Sequence, residues 1–211
     1  FKGTVENRSM AGVAVEQDSI HMNLQNPASF ANLKMTTFAL GGSYNTTTLK
    51  SGTKSENATR TTLDYLAVGL PFGKLGLGFG LIPYSSVGYK IESISTDINT
   101  NNRRYNGSGG LNKAFLGLGY KVNSNFSVGA DAQYNFGKIE TNSLEFITDI
   151  PIGTRESNTA NLSGINFDIG AMYKAKLNNK VNLYSSVNYE FENSLTSQNT
   201  RNIVTVAYDL G

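Results

Sequence analysis

The sequence contains no cysteine and no tryptophan, a single histidine, and few charged residues, which make up 16% of its 211 residues. The absence of cysteine excludes disulfide bonds, thiolate metal ligands and thiol catalysis. With His21 as the only imidazole, neither a transition-metal site nor a Ser-His catalytic constellation has support, so we expect no metal, no cofactor and no enzymatic activity. A polar structural role for His21 is the simpler expectation.

Long apolar runs are also missing. No stretch approaches the ~18 consecutive apolar residues that a transmembrane helix needs, whereas a transmembrane β-strand needs only ~9–11 residues. The formal net charge of +2 is close to neutral. It gives no reason to expect nucleic acid as a partner.

What the chain does contain is glycine, tyrosine and phenylalanine in quantity, with asparagine, serine and threonine as its polar residues. Residues 126–136 alternate strictly, so that one face of a strand is apolar with an aromatic residue at each end and the other face is polar or small. The same alternation, stronger or weaker, recurs at 35–44, 61–70, 75–81, 114–120, 165–175, 181–191 and 203–208. No long segment has helical periodicity, so the chain is predicted to be all-β.

The connections between these strands alternate in length. Three are short, at 71–73, 123–125 and 177–179, and the polar stretches between them are long, at 45–60, 96–112, 138–160 and 193–202. Short periplasmic turns and long outer loops are typical of an antiparallel, up-and-down transmembrane β-barrel, here with about eight strands. A soluble β-sandwich also alternates apolar and polar residues, but it predicts no such rule for loop lengths.

Short motifs point to a family. A stretch of small residues is followed by Asp18-Ser19 and then by Asn26-Pro27-Ala28, and later come Leu70-Pro71-Phe72-Gly73, Ile82-Pro83-Tyr84 and Gly109-Gly110-Leu111-Asn112. In this order they resemble the long-chain fatty acid transporter (FadL-like) family of outer-membrane β-barrels, in its Bacteroidota branch. The resemblance implies a hatch segment at residues 1–34, folded inside a barrel formed by residues 35–211.

The resemblance also suggests where a ligand would bind. Hatch residues Asn26, Pro27, Ala28 and Phe30 are candidate binding residues, together with the inward-facing aromatic residues Phe115 and Tyr184. The glycines that alternate with large apolar residues between 75 and 81 leave a bare inner face, and the hatch around 26–30 is the expected occupant.

Charged residues on the polar strand faces are expected to line a wet interior and to pair with each other: Lys121, Asp131, Asp168, Lys174 and Glu190. Arg103-Arg104-Tyr105 is expected to lie in a solvated outer loop, where partners dock.

Two departures from the family pattern leave the size of the barrel open. Its members usually have about fourteen strands, and the chain ends in Asp209-Leu210-Gly211 without the aromatic residue that usually closes such barrels. The chain is either a small barrel with an unusual end or part of a larger one. The interrupted strand at 203–208 favours the second alternative.

The functional prediction follows from the resemblance. We expect a protein of the cell outer membrane, in contact with lipid, that passively transports small hydrophobic compounds. The alternative is an accessory or plugging subunit of a larger outer-membrane machine such as the type IX secretion translocon. The sequence alone does not decide between them.

Overall fold

The structure is a computed structural model that describes residues 3–15, 18–52, 54–95, 100–148 and 150–207. Helix α1 spans Val5–Ser9 and a 3₁₀ helix spans Pro27–Asn32. Eight strands follow: β1 Thr37–Ser51, β2 Lys54–Phe72, β3 Leu75–Ser93, β4 Asn101–Lys121, β5 Phe126–Ile147, β6 Ile152–Lys176, β7 Asn182–Glu190 and β8 Thr196–Ala207. Neither helix in the described part of the chain is long and apolar enough to cross a membrane.

All eight strands belong to one sheet. Strands β1 to β7 are adjacent in chain order, and the pairs with a defined register, β1–β2, β2–β3, β6–β7 and β6–β8, are antiparallel. The predicted all-β, antiparallel, up-and-down organisation is therefore confirmed. The predicted short connections are confirmed as well, since β2 ends at Phe72 and β3 begins at Leu75, with Gly73 in the left-handed region at φ 67°.

The predicted long connections, in contrast, are mostly strand. Thr46, Thr47 and Thr48 of β1 pair with residues of β2, and the hairpin turns at Gly52. The stretches 101–112, 138–147 and 152–160 likewise belong to β4, β5 and β6, and Arg103-Arg104-Tyr105 lies in β4 rather than in a loop. Polarity does not distinguish a loop from a water-exposed hairpin, and threonine favours the extended conformation.

The end of the chain differs from the prediction in another way. Residues 193–202 do not form an outer loop, because β8 begins at Thr196 and pairs with β6. Strand β7 pairs with residues 168–176 of β6, and β8 pairs with residues 152–163 of the same strand. Both pairings are antiparallel, so β7 and β8 run in the same direction along different parts of β6. Residues 208–211, where the sequence lacks the aromatic residue that usually closes such barrels, lie outside the described residues.

The chain divides into two compact units, each with segments of several strands. Unit 1 contains Phe1–Pro83, Lys113–Tyr134 and Ile165–Asn193, and unit 2 contains Tyr84–Asn112, Asn135–Gly164 and Ser194–Gly211. In unit 1 the alternation predicted for β6 is present, with the apolar face outward and the polar face inward as predicted for a membrane β-barrel. Ile165, Phe167 and Ile169 are exposed, whereas Asn166 and Asp168 are buried. A soluble β-sandwich would bury the apolar set, so this pattern contradicts that alternative.

Candidate functional site

The buried face of the sheet in unit 1 is lined by glycines, and the N-terminal segment (residues 3–15 and 18–34) packs directly on them. A Cβ atom added to Gly78 or Gly117 would lie 2.6 or 2.8 Å from the Phe30 ring, and one at Gly119 would lie 2.6 Å from the Ala31 amide nitrogen. Real side chains do not approach so closely. The expectation that residues 26–30 occupy the bare glycine face is therefore confirmed.

Asn26 fastens this segment to two strands. Its side-chain oxygen accepts a hydrogen bond from the Ala28 amide at 2.9 Å, which caps the 3₁₀ helix. Its side-chain nitrogen donates to Ser186 Oγ at 2.9 Å and to the Val187 carbonyl at 3.0 Å, and it lies 3.3 Å from the Ala171 carbonyl. The buried side-chain amide of Asn26 thus makes polar contacts with the backbone of the 3₁₀ helix, with β6 and with β7.

The 3₁₀ helix is buried from Pro27 to Ala31. Proline at its first position suits a helix start, because its missing N–H would have no intrahelical partner there. Phe30 stacks on Phe115 of β4 with ring centroids 6.4 Å apart, and Met22, Leu33 and Ala67 complete this buried cluster. The apolar core of unit 1 is thus shared between the N-terminal segment and the sheet.

The first residues of the N-terminal segment are held by polar contacts with β2. Arg8 forms an ion pair with Asp64, with 2.6 Å between Nη2 and Oδ2. The same carboxylate accepts hydrogen bonds from the Ser43 and Thr62 hydroxyls. The Val5 amide donates to the Tyr65 hydroxyl oxygen at 3.1 Å.

His21 and Asp18 form an exposed pair within the N-terminal segment, with 2.6 Å between Nδ1 and Oδ2. The hydrogen bond to Asp18 raises the pKa of the His21 ring above its ordinary value. Partial burial would raise the pKa of Asp18, but the hydrogen bonds from the Ile20 amide and from His21 together lower it. This pairing places His21 in a polar contact within the N-terminal segment, and the absence of a catalytic or metal-binding role stays a prediction.

The charged residues on the buried faces pair differently from the prediction. Asp168 accepts two hydrogen bonds from the Asn188 amide, and Asp131 accepts one from Gln133. The carboxylate of Glu190 accepts one from Asn166 at 2.6 Å. Amides are therefore the main partners, because each can donate to a carboxylate without adding charge to a partly buried site.

Lys113 is the cation of this cluster, with its Nζ 3.6 Å from Glu190 Oε1. The sequence prediction did not name it, although it alternates with Ala114 at the start of a predicted strand and so falls on the buried face. Lys174, which was predicted to pair with a carboxylate, lies 5.1 Å from the centroid of the Tyr184 ring instead.

The structure brings five of the six candidate binding residues together. Asn26, Pro27, Ala28, Phe30 and Phe115 are buried in unit 1 and join the N-terminal segment to the sheet. Tyr184 is half-buried and lies outside the apolar cluster. Whether the five bind a ligand stays a prediction. Within the described ranges no group of three or more histidine or acidic side chains could hold a metal ion.

Comparison with known proteins identifies the family. The BamG family model matches residues 1–211, the whole chain. No curated protein and no solved structure matches it significantly. The resemblance to the FadL-like transporters is therefore wrong, and with it the prediction of passive transport. Of the motifs that carried the resemblance, Asn26-Pro27-Ala28 begins the 3₁₀ helix that packs on the glycines.

Proposed function

This chain belongs to the BamG family, and we propose that it serves in the outer membrane as an accessory subunit of the barrel assembly machinery. The family match supports the choice of machine, and it replaces the type IX secretion translocon that the resemblance suggested. The observation that carries an accessory role is the filled face of unit 1. Its glycines are covered by the N-terminal segment of the same chain.

The exposed face of unit 1 supports a place in the outer membrane. Its strands present large apolar side chains outward, among them Phe38, Leu40, Leu116, Phe167 and Val187. Contiguous apolar surface of this kind is unfavourable in water and is typical of the lipid-facing side of outer-membrane strands. Burial of polar and glycine residues on the opposite face fits the same orientation.

The contacts of the N-terminal segment support a structural rather than a gating role. Asn26 is buried and bonded to β6 and β7, and Phe30 is stacked on Phe115. Release of the segment would expose this apolar cluster and leave the Asn26 amide and its partners unpaired, each of which costs free energy. We therefore propose a stable, non-catalytic scaffold, in which His21 has no chemical role beyond its pairing with Asp18.

Co-purification tests the proposal. The chain, tagged at a site away from the N-terminal segment, is purified from native membranes in mild detergent, and its partners are identified by mass spectrometry. Proteins of the barrel assembly machinery are expected in stoichiometric amounts, in the outer-membrane fraction. An unrelated tagged outer-membrane barrel of equal abundance is the control. Recovery of the chain as a solitary monomer would contradict the proposal.

Depletion gives a second readout. If the chain assists barrel assembly, its loss lowers the level of folded outer-membrane barrels, measured by their heat-modifiable migration on gels. The levels of outer-membrane lipoproteins, which need no barrel assembly, serve as the matched control. An equal fall in both classes would point to a general envelope defect and count against the proposed role.

A further inference from the structure

Unit 2 contains a cavity that the proposed function does not use. It has a volume of about 460 Å³ and is lined by residues of β3, β4, β5 and β6. This volume lies within the range of small-ligand sites, ~300–1,000 Å³. We propose that this cavity, called the basic cavity below, binds an acidic saccharide, that is, a sugar carrying a carboxylate or a phosphate group.

The charge of the lining carries the first part of the argument. Lys90, Arg104 and Arg155 line the basic cavity, and none of its lining residues is acidic. Lys90 and Arg104 share one carboxylate oxygen of Glu92, each at 3.5 Å. Two cations thus meet a single anion, and Arg155 adds a third positive charge. An anionic group in the cavity would balance this excess.

The geometry of Arg104 favours recognition of a carboxylate or phosphate. Its guanidinium carbon lies 5.2 Å from the centroid of the buried Phe146 ring, a cation–π contact that limits its motion. A positioned guanidinium can donate two parallel hydrogen bonds to such an anion, and less side-chain entropy is lost on binding. Arg155 supplies a second guanidinium from β6.

The uncharged lining residues fit a sugar rather than a bare ion. Asn142 and Ser157 offer amide and hydroxyl groups, which both donate and accept hydrogen bonds as the hydroxyls of a sugar require. A polynucleotide would need a longer basic surface, and the net charge of the whole chain is only +2.

Binding of defined probes to the purified full-length chain in detergent tests the proposal. The probes are tetragalacturonate, maltotetraose as the neutral sugar, and tetraglutamate as the acidic peptide. Tetragalacturonate is expected to bind, and maltotetraose to bind at least about tenfold more weakly because it lacks the charge that pairs with arginine. Equal affinity for maltotetraose, or tighter binding of tetraglutamate, would overturn the proposal.

A further pair of probes identifies the source of the sugar. Purified lipopolysaccharide in micelles is compared with its deacylated saccharide. If both bind with similar affinity, the sugar alone is recognised. If only the lipid-linked form binds, and does so independently of Arg155, the basic cavity is not the site and the proposal fails.

Substitutions locate the site. Arg155→Gln is expected to weaken tetragalacturonate binding about fivefold or more, with partial recovery in Arg155→Lys, which keeps the charge but not the planar fork. Arg104→Gln should act in the same direction. Lys180→Gln removes one positive charge in the turn between β6 and β7 and is the matched control. Unchanged affinity in Arg155→Gln, with the fold intact by circular dichroism, would overturn the proposal. Because the assay uses the isolated chain, its result is independent of co-purification with the assembly machinery.

Discussion

The two units share strands β3 to β6 but are held together by different interactions. In unit 1, long-range contacts join the N-terminal segment to the sheet, as between Asn26 and β7 or between Phe30 and Phe115. In unit 2, ion pairs join strands close to the surface, such as Arg103–Glu145 and Arg201–Glu156. Buried packing contributes far more to stability than exposed ion pairs do.

This difference predicts where the molecule is sensitive to change. Gly76 in unit 1 has the backbone of Phe30 where a side chain would be, whereas Gly88 in unit 2 has nothing within 4 Å of that position. Four measurements test the comparison, in order of expected effect.

The largest effect is expected from Gly76→Ala. The added methyl group would collide with the backbone of Phe30, which cannot move without disturbing its buried neighbours. We expect a loss of about 1–3 kcal/mol in the free energy of unfolding in detergent, measured by urea titration. Gly88→Ala lies on the same strand and should change it by less than about 0.5 kcal/mol. Equal losses in the two variants would show that the contact of Gly76 with Phe30 does not decide the effect.

Asn26→Ala should be nearly as damaging. It removes the cap of the 3₁₀ helix and leaves Ser186 and Val187 without their buried donor, at an expected cost of about 1–3 kcal/mol. Asn26→Asp keeps the capping oxygen but not the donor. Limited proteolysis of the N-terminal segment should therefore be faster in both variants than in the wild type. Cleavage at the wild-type rate in Asn26→Ala would show that the segment is held without this residue.

Substitution of one arginine in each unit compares how much their ion pairs contribute to stability. Arg8 and Asp64 in unit 1 have exposed fractions of 31% and 15%, against 65% and 29% for Arg201 and Glu156 in unit 2. We expect Arg8→Gln to cost about 1 kcal/mol and Arg201→Gln less than about 0.5 kcal/mol, because solvent and salt screen the exposed pair more strongly. The urea midpoints of both variants, at low and high salt, measure this. A larger loss for Arg201→Gln would reverse the ranking.

The smallest effect is expected from pH. The pKa of His21 is raised in the folded protein, so the stability from its pairing is fully present below the unfolded pKa and is lost as pH rises through the folded one. The pKa of Asp18 is lowered, so its contribution is present above the unfolded pKa and is lost as pH falls through the folded value.

Their joint contribution is therefore greatest between the ordinary pKa values of the two groups, 3.8 and 6.5. The rate of proteolysis of the N-terminal segment should rise slightly above neutral pH, and His21→Gln should abolish this rise. The pair is exposed, so the change is small. A rise that persists in His21→Gln would assign it to another group.

Several features of the fold could be predicted from sequence because they depend on neighbours along the chain. Alternation between 165 and 175 predicted which side chains of β6 share a face, and short turns such as 71–73 were predicted from their proline and glycine. The long hairpins were not, because the polar residues of 45–60 pair with each other across strands, and such pairing leaves no local signal. The pairing of β8 with β6 was missed for the same reason.

In the candidate site, too, features with a local signal in the sequence were predicted and contacts between distant residues were not. Asn26, Pro27 and Phe30 were selected through the family resemblance, and the glycine face at 75–81 was predicted from its alternation. Lys113, Arg8 and Asp64 were not identified, since their partners lie 56 or more residues away in the sequence. Tyr184 was selected as an inward aromatic residue, but it packs beside Lys174 outside the apolar cluster.

By itself the sequence determined what the chain lacks and which residues alternate: no thiol chemistry, a lone histidine, and strands with one apolar and one polar or small face. These follow from composition and from the two-residue period of a strand. Only the tertiary structure decided which partners these residues meet: Asn26 bonds to β6 and β7, and Phe30 stacks on Phe115. It also decided that the polar stretches predicted as loops are strands, and that three of these strands help to line the basic cavity. Those outcomes depend on contacts between residues far apart in sequence, which no local pattern specifies.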